Sequence, residues 1–187
     1  GTVDFVEVAT SKYPKIQISS ITGPVVVLYE CAFGSTSSTT ALQWKTCNTS
    51  AFLFSNITLP LSLSEMYYAH VKIFNYEGAV YSMSAQYAIP RIENLSVAFA
   101  ANASAPYFDP VVSFTYSGSA ATTQCALGPA NSTLSWESCS SPHRFTSSLP
   151  LQEGVNYYAH VSIVTLQENS FQNQTVQPLN IGSTDST

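Results

Sequence analysis

Charge is what this chain of 187 residues has least of. Asp, Glu, Lys and Arg make up 9% of it, with 6 basic and 11 acidic side chains and a net charge of -5, against about 25% charged residues in ordinary soluble proteins. The basic residues form no run or stripe, which removes the electrostatic footprint that phosphate backbones require. Nucleic acid is not an expected ligand. The carboxylates are scattered too widely for a cation cluster or a glycosidase pair, so no metal site is assigned. No apolar run reaches the roughly 18 residues that span a bilayer, and no charged-then-apolar leader precedes Gly1. No membrane span is expected, and the chain reads as a mature product or an excised piece. A G-x-S-x-G elbow is missing, as are the C-x2-C pairs of a four-cysteine zinc site, an RGD tripeptide and any helical apolar stripe. No catalytic or cofactor-binding residue is assigned, and the protein is not expected to be an enzyme.

Ser and Thr are plentiful, together about a quarter of the chain. Something besides ionised groups must keep such a surface hydrated. Six N-x-S/T triplets begin at Asn48, Asn56, Asn94, Asn102, Asn131 and Asn173, where chance supplies about two or three. Each is an N-glycosylation acceptor if the chain passes through a secretory pathway. The excess, together with four cysteines, points to an extracellular or cell-surface glycoprotein whose N-linked glycans supply the missing polarity.

The pentapeptide YYAHV at 67–71 recurs unchanged at 157–161. Around it, "CAFG" at 31–34 answers "CALG" at 125–128, "QWKTC" at 43–47 answers "SWESC" at 135–139, and "LPLSLSEMYYAHVKI" at 59–73 answers "LPLQEGVNYYAHVSI" at 149–163. The period of about 90–95 residues is that of a whole domain. The chain is read as a tandem duplication: module 1 over 1–89 and module 2 over 90–187, the latter ending in a polar tail at 180–187. "YAIPRI" at 87–92 leaves almost no linker, and Pro90 restrains both itself and Ile89. Two modules so joined predict a short semi-rigid rod.

Within each copy apolar residues alternate. Tyr67, Ala69, Val71 and Ile73 share one face while Tyr68, His70 and Lys72 share the other, and Tyr81, Met83, Ala85, Tyr87 and Ile89 repeat the pattern. Period two with β-branched and aromatic residues, bounded by Gly, Pro, Asn and Ser, signals half-buried strands. Seven are expected in each copy, at 2–9, 15–22, 25–33, 41–47, 52–59, 66–75 and 79–88, then at 92–100, 110–117, 121–127, 133–137, 143–149, 155–165 and 170–178. The expected fold is all-β, two tandem seven-stranded β-sandwiches.

Four cysteines allow three connectivities. If Cys31 faces Cys47 across an antiparallel hairpin, Gly34 falls opposite Trp44; if Cys125 faces Cys139, Gly128 falls opposite Trp136. Both copies return one arrangement, with a tryptophan covering a strand glycine. Disulfides Cys31–Cys47 and Cys125–Cys139 are therefore expected.

The stretches "LQEGVNYYAHVSIVT" and "LSLSEMYYAHVKIFNYEG" resemble the closing pattern of fibronectin type III and immunoglobulin-like domains. Leu151, Gly154 and Tyr157 match it in one copy; Leu61, Tyr67, Val71, Asn75 and Gly78 match it in the other, with Ser64 in place of the glycine. The resemblance implies a tyrosine corner in each module, in which Tyr67 and Tyr157 bury their rings and turn their hydroxyls back to nearby backbone. The tryptophan that this family carries early on its second strand is missing here, and the cysteine hairpin is not a usual feature of it.

His70 and His160 occupy one position in both copies, but no Cys, Asp or Glu stands at ligand spacing beside them, so a surface or packing role is expected. His143, before Arg144, carries no clearer message. Tyr68, Phe74 and Tyr158 lie opposite the buried face and are candidate surface contacts, to sugars or to a neighbouring subunit. Sandwich edges are normally blunted by charge, and these strands have little. The expected function is a non-enzymatic structural module that builds an extracellular filament, appendage or matrix from copies of itself, with the terminal strands at 2–9 or 170–178 as possible donors to a neighbour's sheet. The alternative is a secreted recognition domain, a receptor ectodomain or a carbohydrate-binding adhesin.

Overall fold

The structure is a computed structural model that describes residues 2–6, 11–19, 21, 26–35, 41–48, 51–100, 110–130, 132–146, 151–152 and 154–180. It divides into two compact units, Gly1–Ile89 and Pro90–Thr187. Among the described residues there is no helix, and every ladder is antiparallel.

Among its described residues the first unit has seven strands: β1 (Thr2–Phe5), β2 (Lys15–Ser19), β3 (Val26–Gly34), β4 (Lys45–Cys47), β5 (Phe52–Leu53), β6 (Tyr67–Asn75) and β7 (Val80–Tyr87). They form a three-stranded sheet, β1-β2-β5, and a four-stranded sheet, β4-β3-β6-β7. Alternation along β6 sends Ala69, Val71 and Ile73 inward, where they meet Val3, Ile16 and Ile18 of the other sheet together with Cys31 and Phe54. One apolar cluster thus joins both sheets, and each buried Val or Ile in it contributes about 1.5–3 kcal/mol.

The second unit repeats the plan with β8 (Glu93–Phe99), β9 (Val111–Ser117), β10 (Thr122–Pro129), β11 (Glu137–Ser138), β12 (His143–Arg144), β13 (Asn156–Val164), β14 (Ser170–Gln174) and β15 (Leu179–Asn180). Its sheets are β12-β9-β8 and β11-β10-β13-β14, with β15 also on β13. Val97, Val112, Phe114 and Phe145 from the first of these, or just beyond it, pack on Ala159, Val161 and Ile163 of β13.

Several elements differ from the expected ones. The segments at 41–44 and 133–136 are not strand, because they leave the ladder to lie over the sheet, as described below. The strand expected over 52–59 ends at Leu53: the Phe54 N–H goes to the Pro14 carbonyl, and Ser55 N–H turns back to Leu53. The strand expected over 170–178 is two strands. Between them Thr175 donates its N–H to the Ala159 carbonyl while its hydroxyl accepts from the Ala159 N–H, so a side chain replaces a backbone acceptor and the chain bulges out of the ladder. Asn180, expected in the polar tail, pairs with Asn156 in β15. Residues 7–9, 20, 22, 25, 147–149 and 181–187 of the expected strands and tail lie outside the described residues.

Both long hairpins turn by one design. In β6–β7 the Asn75 Oδ1 accepts from the N–H groups of Glu77 (3.1 Å) and Ala79 (2.8 Å), and Gly78 sits at φ 78°. In β13–β14 Thr165 and Asn169 close the turn through backbone, and Glu168 occupies the left-handed position at φ 65°.

Candidate functional site

The chemistry that distinguishes this chain is gathered at the cysteine hairpins. Cys31 is bonded to Cys47 and Cys125 to Cys139, with Cα–Cα distances of 5.8 and 5.7 Å. The register is not the one that direct pairing requires. Cys31 lies opposite Lys45 and Tyr29 opposite Cys47; Cys125 lies opposite Glu137. Each bridge is therefore diagonal. A slip of two residues keeps every side chain on its face, so alternation does not detect it. It does change what covers the glycines. A Cβ on Gly34 would run into a Leu42 methyl and one on Gly128 into a Leu134 methyl; leucines, not Trp44 and Trp136, lie over these backbones.

The tryptophans are displaced onto the histidines. Trp44 sits 6.4 Å from His70 and Trp136 6.4 Å from His160, ring centre to ring centre. His70 is 2% exposed, so its role is packing and not surface contact. Lys72 Nζ stands 3.9 Å from the Trp44 ring centre, a cation–π contact worth about 0.5–1 kcal/mol at a solvent-reached site. His160 is half-buried, its Nε2 has no hydrogen-bond partner, and burial holds its pKa below the ordinary histidine value. The rings meet at an angle, 59° between planes in the first unit and 72° in the second.

Beside the first hairpin a cleft of about 310 Å³ opens between β4 and β5. Its wall is a chain of rings: Phe52 on Phe54 (5.1 Å), Phe54 on Phe33 (5.3 Å) and Phe33 stacked on Tyr67 (5.7 Å, 7° between planes). Lys45, Asn56 and Thr58 stand at its polar side. In the second unit the positions of Lys45 and Phe52 are held by Glu137 and His143, and these meet, Nε2 to Oε1, at 2.9 Å. The sequence reading missed Phe33, Phe52, Phe54 and Lys45. Their signal lay in the alignment of the two copies, where an aromatic and a cation in one face an imidazole and a carboxylate in the other.

The tyrosine corners are built alike. The Tyr67 hydroxyl accepts from the Ser62 N–H at 3.1 Å and donates to Glu65 Oε2 at 3.0 Å; the Tyr157 hydroxyl accepts from the Gln152 N–H at 3.0 Å. Tyr157 is buried, whereas Tyr67 is only half-buried. Burial, with Glu65 adding to it, raises the Tyr67 pKa against the opposing pull of the Ser62 N–H.

Asn48, Asn56, Asn94 and Asn173 are exposed; Asn102 and Asn131 lie outside the described residues. The Asn94 amide donates to Ser117 Oγ at 3.4 Å and the Asn173 amide to the Leu95 carbonyl. Tyr68, Phe74 and Tyr158 are half-buried, and among the described residues the large apolar side chains most open to water are others, Tyr76, Met66, Tyr81, Val27 and Val80 in the first unit and Val176 in the second.

Of the nine outermost strands among the described residues, β4, β5, β11, β12 and β15 have two or three residues, β1 carries Asp4, β8 carries Glu93 and a register shift at Asn94, and β14 is a five-residue strand bearing Asn173. The remaining one, β7, runs for eight residues, VYSMSAQY, without charge, proline or sequon. Among the described residues no group of His, Cys, Asp or Glu is placed to hold a metal, and no helix is long and apolar enough to cross a membrane. No protein-family model and no curated protein matches the chain.

Proposed function

We propose that this chain is a pair of fibronectin type III-like sandwiches from a secreted or cell-surface glycoprotein, and that it builds an extracellular filament, appendage or matrix through contacts between copies without catalysing a reaction. Three features support the architecture: a three-stranded sheet facing a four-stranded one in the first unit and a five-stranded one in the second, a tyrosine hydroxyl returned to backbone five residues earlier in each unit, and repetition of the plan. Two disulfides suit an oxidising compartment.

The observation that carries the assembly reading is β7. Uncharged, unbroken edge strands are templates for pairing, and natural monomers blunt them. Every other outermost strand described here is short, charged, irregular or marked by a sequon. Antiparallel pairing of β7 with a second β7 would oppose no like charges. Val80 and Tyr81, 49% and 53% exposed, would lose water contact in such a pair. Sedimentation velocity on the secreted chain from micromolar to millimolar concentration should show association, and Ser82→Lys with Ser84→Lys should abolish it, because both side chains are exposed and leave the core untouched. Monodisperse monomers throughout would end this reading. Negative-stain micrographs then decide between filaments and closed dimers.

A second reading, a carbohydrate-recognition domain, is favoured by the ring-walled cleft of the first unit. Saturable binding of free oligosaccharide by the deglycosylated chain, without self-association, would select it.

A further inference from the structure

The cleft of the first unit leaves an aromatic wall at a flank that the second unit bridges with a hydrogen-bonded pair of side chains. Glu137 and His143 reach across from β11 and β12; Lys45 and Phe52, at the same places, have no such chemistry between them. Something else must cover the rings if the flank is to be shielded from water. The attachment point is already there. Asn56 and Thr58, the two recognition residues of one sequon, both line the cleft, and both are exposed. The turn after β5, closed by Ser55 N–H on the Leu53 carbonyl at 3.0 Å, places Asn56 two residues beyond Phe54, which is buried in the wall.

We infer that Asn56 carries an N-linked glycan whose first N-acetylglucosamine units seat in this cleft and close the flank of the first unit. The apolar face of a pyranose ring stacks on aromatic side chains, while its hydroxyl and acetamido groups find partners at the polar side, where Lys45, Gln43 and Thr58 stand. A cleft of about 310 Å³ has room for one or two sugar rings and not for a branched antenna. Attachment makes the docking intramolecular, so modest stacking suffices at an effective concentration in the millimolar range. The other described sequons lack this arrangement. Asn94 and Asn173 direct their amides to Ser117 and to the Leu95 carbonyl, and neither they nor Asn48 lines the cleft. The glycan at Asn56 is then a structural part of the module, the counterpart of the Glu137–His143 pair.

This inference rests on the secretory, glycosylated part of the function proposed above. The test uses the full chain from a secretory host. Glycopeptide mass spectrometry reads occupancy at each sequon; an endoglycosidase then trims to one N-acetylglucosamine, and an amidase removes the glycan entirely from the folded protein. Trimming should change little. Complete removal should raise binding of an apolar fluorescent dye several-fold and lower the first unit's unfolding midpoint by about 4 °C. Asn56→Gln and Thr58→Ala should reproduce both effects; Asn94→Gln should produce neither. An unoccupied Asn56, or an occupied one whose removal changes neither signal, overturns the inference alone when other sequons are occupied. A secreted chain with every sequon bare would overturn the glycoprotein reading with it. Binding of free chitobiose that competes with the dye on an unoccupied cleft would assign the site to an external sugar and likewise overturn the proposal.

Discussion

Between β4 and β5 the first unit has Lys45 and Phe52; between β11 and β12 the second has Glu137 and His143, 2.9 Å apart. A few strands away, β7 pairs with β6 without interruption from Tyr67–Tyr87 to Phe74–Val80, while its counterpart breaks at Thr175 into β14 and β15. The hairpin that carries Gly78 in one unit carries Glu168 in the other. These differences lie at flanks, edges and turns. What has not diverged is interior: the inward row of Ala, Val and Ile on β6 and β13, the diagonal bridge, the leucine over a glycine, the tryptophan against a histidine. Duplication gave two copies of one packing problem, and close packing tolerates few other solutions. Solvent-facing positions answer to partners, so they were free to specialise, the first unit toward an open edge and cleft and the second toward self-closure.

The sharpest test of this shared interior is the bridge. Each closes a loop of about 15 residues, and removing it costs about 3 kcal/mol by loop entropy. Cys31→Ala with Cys47→Ala, and separately Cys125→Ala with Cys139→Ala, should therefore destabilise their own units by similar amounts in chemical denaturation. A loss in the second unit much below that in the first would break the comparison, because the Glu137–His143 pair beside the second bridge would then be carrying the hairpin.

The bridges, the long strands β3, β6, β10 and β13 and the inward row on β6 were legible in sequence, because alternation and a doubled cysteine hairpin are local signals. The register was not. Period two is blind to a slip of two, and nothing in the alternation tells that Leu42 and Leu134, rather than the tryptophans, meet Gly34 and Gly128. Neither was the bulge at Thr175, since a hydroxyl substituting for a carbonyl leaves no pattern. The cleft was invisible for a third reason: Phe33, Phe52 to Phe54 and Tyr67 come from three strands, and their meeting is a property of the stacked sheets. Asn56 was found as a sequon, but the rings beside it were not.

The corners provide a second, smaller contrast. Tyr157→Phe strands the Gln152 N–H beside a buried ring and should cost about 1–1.5 kcal/mol, whereas Tyr67→Phe, at a half-buried ring whose neighbours reach water, should cost about 0.5 kcal/mol. Equal losses in urea titration would mean that both corners are equally dry. The turns come next. Glu168 holds a left-handed conformation that costs a side chain roughly 1–2 kcal/mol, and glycine there would regain most of it less about 0.5–1 kcal/mol of unfolded-state entropy. Glu168→Gly should stabilise the second unit by about 0.5 kcal/mol, while Gly78→Ala should weaken the first by somewhat more.

The smallest expected effect is a pH dependence confined to one copy. Burial holds the pKa of His160 below the ordinary value near 6.5, so the unfolded chain binds its proton first as pH falls. Stability therefore rises with pH across the interval between the folded and unfolded values. The contribution is complete above about pH 6.5 and is lost as pH drops through the folded value. His160→Gln should flatten the decline of the second unit's unfolding midpoint between pH 7.5 and 5 that the unaltered protein shows. His143, with Glu137 beside it, is present in both proteins and cancels in the difference. The ring is only half-buried, so water screens the charge and the slope is shallow. Its disappearance in the variant, rather than its size, is the informative result: a slope that survives the substitution would place the proton uptake elsewhere.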